Sequence, residues 1–535
     1  MVVIKGSREK IVALYGREFL EEMKDFSRII GFTVEEGEDE VRVEFNPDRP
    51  DLFAFSQLKQ AVDVFYHGKK RDLVFSSKPS FKIIQERETV PIRRYILGFS
   101  AKGNRIGDHM DELIDFQEKL HQTVGKNRMK VSIGLHDSKN ISNNITFRAY
   151  RQDEIAFTTY DGLVSGTAKK ILEEHPTGKL YSNLVQASDT VAILEDSNGN
   201  VLSMPPIING VFTKITPETS EFFVDITGNE LAATRNAFYL LLYYFGNLGY
   251  VLSPSLPDRG VLSRLGDFDG RTISVNNMQL LKHLGMPIKA EMCVDLLSRM
   301  GFEARRYKNG VICKVPGNRV DVMGPIDIIE DIAKSFGYDN IPPRKPDLSI
   351  IGESGRDISI TDKARHILLG MSIQEIMSYV VGSSIAYSIE KDHEVYKIMN
   401  PKSEEFSVIR NYLYPNLLEF LRINKKSSLP QEIFEVGYVV NRGNQRLAAS
   451  VVTCGTDSDY SRAKGILDSF SQRFFGERLI VTPENRPSFI DGRSGCINRN
   501  GACVGIIGEI HPETLQKFDI TAPVSVMEIF LDSIS

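Results

Sequence analysis

The sequence has no tryptophan, and it contains only five cysteines and nine histidines among 535 residues. The cysteines are Cys293, Cys313, Cys454, Cys496 and Cys503. No two of them form a Cys-x-x-Cys pair, and no histidine has a partner at a spacing typical of zinc ligands. We therefore expect no zinc site, and we predict that the thiols are free in a reducing cytoplasm.

A long hydrophobic run and an excess of positive charge are also missing. The longest apolar run, residues 238–245, is far shorter than the roughly 20 residues that span a bilayer. The first residues, MVVIKGSREK, have no apolar signal core, so we expect a cytoplasmic protein with no membrane partner. Lys and Arg total 65 against 70 Asp and Glu. Any contact with RNA must therefore be local, because no basic field covers the whole chain.

The composition, with 41% hydrophobic and 25% charged residues, is that of a globular protein, and the length requires several domains. The patterns predict an α+β multidomain fold. Residues 1–80 form a small α/β unit, and residues 82–253 mix strands and loops with helices. Residues 259–346 form a compact acidic helical unit. Residues 349–535 alternate helices with long strands, as in an antiparallel sheet.

One helix has both ends marked in the sequence. Pro325 suits its first position and Gly337 the position just past its end, so the predicted helix is Pro325–Phe336. A continuous helix is also predicted over residues 9–30. In the helix Pro325–Phe336 the apolar residues recur at helical spacing and form a predicted buried stripe. These residues are Ile326, Ile329, Ile332, Ala333 and Phe336.

Three carboxylates, Asp327, Glu330 and Asp331, follow one another at i, i+3 and i+4 on another face of this helix. Asp321 lies just upstream and can fold back toward them. Four such oxygen ligands suit Mg²⁺. Acids in the first turn of a helix are also favoured by the helix dipole without any metal, so both explanations stay open on spacing alone.

An Arg-x-Asp turn that leads into a helix occurs twice in the chain. Pro47-x-Arg49-x-Asp51 parallels Pro316-x-x-Arg319-x-Asp321. An old duplication and common turn chemistry both explain the likeness, and turn chemistry is favoured.

Four phrases stand out in residues 82–253. They are Gly134-Leu-His-Asp137, Gly178-Lys-Leu-Tyr181, Val201-Leu-Ser-Met-Pro-Pro-Ile-Ile-Asn209 and Phe223-Val-Asp-Ile-Thr-Gly228. Turns joining buried strands would account for them. Asp225 and Thr227 alternate with Val224 and Ile226, so their side chains should lie on one side of a strand and can line a pocket.

The acidic helix, with Arg-x-Asp before it and Gly-Tyr-Asp-Asn-Ile-Pro-Pro after it, resembles the phenylalanyl-tRNA synthetase β-subunit family. The resemblance implies that Asp321, Asp327, Glu330 and Asp331 are Mg²⁺ ligands near an α subunit. Gly324 departs from the family pattern, in which a bulkier residue is expected.

The four phrases, in their order, are similar to the editing domain of the same family. The resemblance implies hydrolysis of tyrosyl-tRNA made by mistake on the phenylalanine tRNA. The catalytic candidates are Asp225 and Thr227, with Asn209 and His136 as weaker ones, and a plain loop histidine also explains His136. No pattern typical of a catalytic serine or cysteine is present, which favours a positioned water.

Residues 349–535 resemble the class II synthetase fold of this β subunit, without its chemistry. No arginine pattern for holding ATP follows Phe434-Glu435-Val-Gly437. The resemblance implies that a partner α subunit binds ATP and phenylalanine in an α₂β₂ phenylalanine-tRNA ligase. This chain would then provide scaffold, tRNA contacts and editing. Two alternatives are a non-enzymatic tRNA-binding scaffold with a decayed editing pocket and a free-standing trans-editing hydrolase.

Overall fold

The computed structural model describes residues 1–142, 144–185, 189–258, 270–345, 352–387, 395–441 and 443–531. The chain divides into two compact units, Met1–Lys345 and Pro346–Ser535. Four of the predicted domain boundaries, residues 259, 346, 349 and 535, lie outside the described residues. The observed fold is a mixed α/β, multidomain one, and the finer division into four domains stays a prediction.

The first 67 residues form a small sheet packed against helices. The elements are β1 (Val2–Ser7), α1 (Arg8–Tyr15), α2 (Arg17–Ile30), β2 (Thr33–Glu36), β3 (Glu40–Phe45) and α3 (Phe55–His67). The strands pair antiparallel in the order β1-β3-β2. The continuous helix predicted over residues 9–30 is wrong, because Gly16 has a φ of 86° and separates α1 from α2. Only glycine adopts that backbone conformation at little cost.

Residues 74–255 form two larger sheets with flanking helices. The elements are β4 (Val74–Phe75), β5 (Lys82–Gln85), β6 (Tyr95–Lys102), α4 (Met110–Gln122), β7 (Val131–Asp137), β8 (Asn144–Arg151), β9 (Ala156–Thr158), β10 (Ser165–Thr167), α5 (Ala168–Glu174), α6 (Pro176–Tyr181), β11 (Thr190–Asp196), β12 (Val201–Met204), β13 (Ile208–Asn209), β14 (Glu221–Gly228), α7 (Leu231–Asn247) and β15 (Val251–Ser255). The described strands pair in the orders β4-β15-β6-β14-β7 and β13-β12-β11-β8-β5.

Strand β14 lies between β6 and β7, and the two faces of its sheet pack against different cores. Phe222, Val224 and Ile226 belong to the core that includes the apolar residues of α7. Phe223 faces the other way and packs in the core of the second sheet. Because side chains alternate along a strand, Asp225 and Thr227 share the face of Phe223. The predicted alternation is confirmed.

The acidic unit follows with β16 (Thr272–Asn276), α8 (Asn277–Leu284), α9 (Ala290–Arg299), β17 (Glu303–Tyr307), β18 (Gly310–Lys314) and α10 (Pro325–Phe336). The predicted bounds of α10 are confirmed. Its buried stripe is partly wrong, since Ile326 is 62% exposed whereas Ile328 is fully buried. The buried face is rotated so that it includes Asp331, whose carboxylate binds the buried Arg319.

The second unit is built on a largely antiparallel sheet. Its elements are α11 (Arg356–Leu369), β19 (Gln374–Glu375), β20 (Val381–Gly382), α12 (Ser384–Tyr387), β21 (Val408–Ile409), α13 (Tyr414–Ile423), β22 (Gln431–Asn441), β23 (Asn444–Cys454), α14 (Tyr460–Phe474), β24 (Ile480–Pro483), β25 (Phe489–Arg499), β26 (Ala502–Ile510), α15 (Pro512–Lys517) and β27 (Val524–Phe530). The main sheet has the order β19-β22-β23-β27-β26-β25-β24. Helices α11 and α14 pack in one core of this sheet, and α13 packs in another.

The prediction that all five cysteines are free is wrong for one pair. Cys496 on β25 and Cys503 on β26 form a disulfide, with their Cα atoms 5.8 Å apart. The two cysteines do not form a Cys-x-x-Cys pattern, because they are seven residues apart in sequence. The hairpin of β25 and β26 brings them together. Cys293, Cys313 and Cys454 are free and buried.

Glu528 is a buried carboxyl in the centre of the second unit, on β27, with only 1% of its surface exposed. It accepts hydrogen bonds from the backbone N–H groups of Leu413 (2.9 and 3.0 Å) and Tyr414 (2.9 Å). Burial disfavours the charged form and raises the pKa of Glu528 to about 7. The folded chain therefore keeps this proton at a pH where the unfolded chain has lost it.

This raised pKa makes stability depend on pH. Between the ordinary carboxyl pKa and about 7 the folded state binds more protons, so stability falls as pH rises through this window. Glu528→Gln removes the charge, and we expect the variant to gain up to about 3 kcal/mol relative to wild type between pH 5 and pH 8. Urea denaturation of the full chain at both pH values measures this. The exposed Glu513→Gln is the control, and an equal gain in both variants would contradict the assignment.

Candidate functional site

A cavity of about 320 Å³ lies in the first unit, between α4 with β7 and the segment 203–215. Its volume falls at the lower end of the range for small-molecule sites, roughly 300–1,000 Å³. Apolar side chains of Ile114, Leu135 and Ile207 line it together with the polar side chains of Asn209 and Asp225. Such a cavity can hold an apolar body and orient it through a few polar contacts.

The carboxylate of Asp225 is held by two neighbours. His136 donates from Nε2 to Oδ2 of Asp225 at 2.7 Å, and the Ser203 hydroxyl donates to the same oxygen at 3.4 Å. The other ring nitrogen of His136 lies 2.7 Å from the Thr213 hydroxyl. His136 and Asp225 are both fully buried or nearly so. The network fixes the position of a carboxylate that borders the cavity.

Gly134 leaves the space that this carboxylate occupies. It lies opposite Asp225 in the register of β7 and β14. A Cβ atom added at Gly134 would lie 2.0 Å from Oδ2 of Asp225 and 2.7 Å from Nε2 of His136. No side chain therefore fits at position 134 without displacing the pair.

The four predicted catalytic residues take different places around the cavity. Asp225 and Asn209 line it, and Asn209 donates from Nδ2 to the carbonyl of Leu135 at 3.1 Å. His136 lies in strand β7, in contact with Asp225, so the alternative of a loop histidine is wrong. Thr227 lies behind the wall, where its hydroxyl is 3.1 Å from that of Ser132.

A second polar cluster on the cavity wall was not predicted. Arg128 donates to the Ile207 carbonyl at 2.9 Å and to Glu118 at 3.1 Å, and Glu118 also lies 3.2 Å from Nδ1 of His121. Burial opposes ionisation, yet these two partners lower the pKa of Glu118 to about 2. No motif marks these residues, although Glu118 and His121 lie at i and i+3 on α4.

The four predicted metal ligands do not act as one set. Asp321 binds Arg319 through both oxygens at 3.0 and 2.8 Å, and Asp331 accepts from Nη2 of the same arginine at 2.6 Å. Asp327 accepts hydrogen bonds from the backbone N–H groups of Met323 and Gly324 at the start of α10. Glu330 is exposed and lies 2.8 Å from Nζ of Lys334.

These contacts bear on the predicted magnesium ion. A group of three or more metal-ligating side chains with closely spaced donor atoms is found in the described parts of the chain only at Glu484, Cys496 and Cys503, and those cysteines are bonded to each other. The four acids do not fit one ion in this conformation, because Arg319 already neutralises two of them. The idea that they share one surface is also wrong for Asp331, which is buried.

In the second unit one arginine contacts the phrase Phe434-Glu435, and its guanidinium is bound inside the protein. Arg410 is buried and donates to Oε1 of Glu435 at 2.6 Å and to the carbonyl of Tyr438 at 2.7 Å. These contacts direct the guanidinium of Arg410 toward protein groups and not toward a ligand. Within the part of the chain that the structure describes, no helix has the length and apolarity to cross a membrane.

Comparison with known proteins agrees with this architecture. Residues 273–338 match the tRNA synthetase B5 domain, and residues 341–531 match the phenylalanyl tRNA synthetase beta chain CLM domain. The phenylalanine–tRNA ligase beta subunit of Thermoplasma volcanium is 39% identical over 99% of this chain and 98% of that relative. The corresponding subunit of Archaeoglobus fulgidus is 32% identical, over 94% of each chain.

A solved structure covers the first part of the chain. It is an N-terminal fragment of the phenylalanyl-tRNA synthetase β subunit from Pyrococcus horikoshii, with 26% identity and a TM-score of 0.57. The match covers 63% of this chain and all of that fragment. The domain matches place the protein among the subunits of aminoacyl-tRNA synthetases. With relatives of this identity over its whole length, the chain belongs to the phenylalanine–tRNA ligase beta subunit family.

Proposed function

We propose that this β chain hydrolyses tyrosyl-tRNA formed by mistake on the phenylalanine tRNA, while a partner α subunit binds ATP and phenylalanine and forms the correct ester. The β chain also provides scaffold and tRNA contacts in this proposal. The observation that carries it is a carboxylate, Asp225, held by His136 and Ser203 at the edge of a largely apolar cavity. The cavity accepts an aromatic side chain and offers a polar partner for one hydroxyl.

The chemistry required is attack of water on an ester, with a preference for tyrosine over phenylalanine. A site built to bond a substrate hydroxyl discriminates strongly, since its polar group is left unpaired when the hydroxyl is missing. Asp225 can accept a hydrogen bond from the phenol or from the attacking water, and the bond from His136 keeps its carboxylate oriented. His136 is thus a positioning residue, and Asn209 is a further polar contact on the wall.

The proposal predicts a large effect of Asp225→Ala. In the purified αβ complex we expect hydrolysis of tyrosyl-tRNA to fall about a hundredfold or more, the range that follows loss of a group acting in the transition state. Attachment of phenylalanine should be unchanged, because it occurs in the other subunit. Asp153→Ala, at an exposed aspartate of the same region, is the matched control. An unchanged rate in Asp225→Ala would remove this residue from the site.

The two alternatives predict other results. A scaffold with a decayed pocket would charge tRNA with phenylalanine yet leave added tyrosyl-tRNA intact. A free-standing hydrolase would be active and monomeric without an α subunit. The second unit, residues 346–535, argues against a free-standing hydrolase, because an isolated hydrolase does not require it. The proposed assembly is an α₂β₂ complex in the cytoplasm. Co-expression of the two chains followed by light scattering of the purified product tests its stoichiometry. A stable, active monomer would contradict it.

Magnesium held by Asp321, Asp327, Glu330 and Asp331 stays a prediction. In the structure Arg319 already supplies positive charge to Asp321 and Asp331. We therefore expect the free energy of unfolding of the chain to change by less than about 0.5 kcal/mol when EDTA removes divalent ions. A larger loss, restored by Mg²⁺ and absent from Asp327→Asn, would show that a metal holds these acids instead. Diffraction from Mn²⁺-soaked crystals would locate such an ion directly.

A further inference from the structure

A second, smaller pocket of about 90 Å³ lies in the first unit, and most of the charged side chains in its lining are cationic. The charged side chains in its lining are Arg49, Lys70, Arg71, Arg299, Arg319 and Asp51. The two arginines contributed by the Arg-x-Asp turns, Arg49 and Arg319, are each only 6% exposed. Lys70, Arg71 and Arg299 are exposed. The pocket thus has a buried cationic floor and a cationic rim.

The two turns place their arginines in the same way. Arg49 donates from Nε and Nη2 to the two oxygens of Asp51 at 2.9 and 2.8 Å. Arg319 donates from Nε and Nη2 to the two oxygens of Asp321 at 3.0 and 2.8 Å. Each guanidinium therefore uses one edge for the aspartate two residues later.

The other edge of each guanidinium is not used in this way. Nη1 of Arg49 and Nη1 of Arg319 are buried and have no hydrogen-bond partner among the described residues. A buried donor without a partner costs free energy, and the cost is larger when the donor is charged. Both arginines line the same pocket, where one acceptor with several oxygens would offer each of them a partner.

The two buried arginines face three aspartates, so the excess positive charge of the pocket lies in its exposed cations. Burial acts to lower the pKa of both arginines, but neighbouring aspartates outweigh it and raise the pKa, so each guanidinium keeps its charge. Asp51 and Asp321 are bound to their own arginines, and Asp331 is bound to Arg319. Lys70 pairs with Glu303 on the rim, and Arg299 lies over the ring of Phe65. The unpaired donors and the rim all favour an added negative charge.

We propose that this pocket binds a phosphate-type oxyanion, with Arg49 and Arg319 as its floor and Arg299, Arg71 and Lys70 at its mouth. A tetrahedral oxyanion offers several acceptor oxygens and matches the planar fork of arginine. The source is either free inorganic phosphate or a phosphate group of the bound tRNA. This proposal does not depend on hydrolysis in the larger cavity.

Calorimetric titration of the full chain with inorganic phosphate, at constant ionic strength with chloride as the exchanged ion, tests the pocket. We expect saturable binding in wild type and a dissociation constant raised about tenfold in Arg299→Gln, which removes an exposed cation without disturbing the floor. Arg305→Gln, an exposed arginine outside the lining, should bind as wild type does. Arg49→Lys keeps the charge but loses the fork and should bind more weakly still.

Competition between phosphate and tRNA distinguishes the two sources of the oxyanion. If a tRNA phosphate occupies the pocket, phosphate will compete with tRNA in wild type, and Arg299→Gln will weaken tRNA about tenfold and abolish the competition. If the pocket takes free phosphate, tRNA affinity will be the same with and without phosphate. The proposal is overturned if phosphate gives no saturable binding, or if Arg299→Gln and Arg305→Gln bind it equally. The outcome for Arg299→Gln decides even if Arg49→Lys fails to fold.

Discussion

Replacing Gly134 with alanine should reduce the hydrolysis of tyrosyl-tRNA by a hundredfold or more and leave the attachment of phenylalanine unchanged. The new Cβ would lie 2.0 Å from Oδ2 of Asp225 and 2.7 Å from Nε2 of His136. Real Cβ atoms do not approach that closely, so the carboxylate and the imidazole must shift from the positions that they hold in the wild type. A displacement of about 1 Å at a reacting centre costs on the order of a hundredfold in rate.

The matched control is Gly465→Ala, since a Cβ at Gly465 meets nothing within 4 Å. The rate of release of tyrosine from preformed tyrosyl-tRNA by the αβ complex is the measurement. Circular dichroism of each variant establishes that the chain is folded. If Gly134→Ala is folded and as active as wild type, then the position of Asp225 has no bearing on hydrolysis, and the site has been assigned wrongly.

Arg319→Met should destabilise the first unit by about 3 to 5 kcal/mol, the cost of leaving buried carboxylates without their counter-charge. The arginine is the common partner of Asp321 and Asp331, at 2.8 and 2.6 Å from Nη2. Methionine fills similar space and packs on Phe302, over which the guanidinium now lies. Chemical denaturation of the full chain, followed by fluorescence of its tyrosines, measures the loss.

The rescue is more informative than the loss. Asp331→Leu removes the more deeply buried acid, so adding it to Arg319→Met should restore a large part of the stability. Arg305→Met, at an exposed arginine of the same unit, is the control for the loss of one charge. If Arg319→Met costs less than about 1 kcal/mol, the ion pair is not what holds α10 to the segment before it.

Much of the local structure follows from the sequence where one residue type is decisive. Pro325 and Gly337 delimit α10 as predicted, and the alternation of β14 places Asp225 and Thr227 on one face. Where the outcome depends on tertiary contacts, the prediction fails. Helical spacing places Ile326 in the predicted stripe, whereas in the structure Ile328 is buried on the side that includes Asp331, whose carboxylate binds Arg319.

The sequence predicts only part of the cavity wall, because the rest depends on tertiary contacts. Asp225 and Asn209 lie on the wall of the cavity. The bond between His136 and Asp225 joins residues 89 positions apart, and it depends on the register of two neighbouring strands, which no local pattern reveals. Arg128 was missed because an isolated polar residue has no signature, and Ser203 stands inside one of the four phrases without a pattern that marks its role. The disulfide was missed because only the hairpin brings its cysteines together.

Hydrolysis of tyrosyl-tRNA in the cavity that Asp225 borders can be measured directly. The most direct measurement adds preformed tyrosyl-tRNA and phenylalanyl-tRNA to the αβ complex without ATP or free amino acid and follows loss of each ester. The account predicts rapid loss of tyrosine in wild type, a much slower loss of phenylalanine, and a rate near the spontaneous one in Asp225→Ala. Equal, spontaneous loss of both esters in the wild-type complex would contradict it.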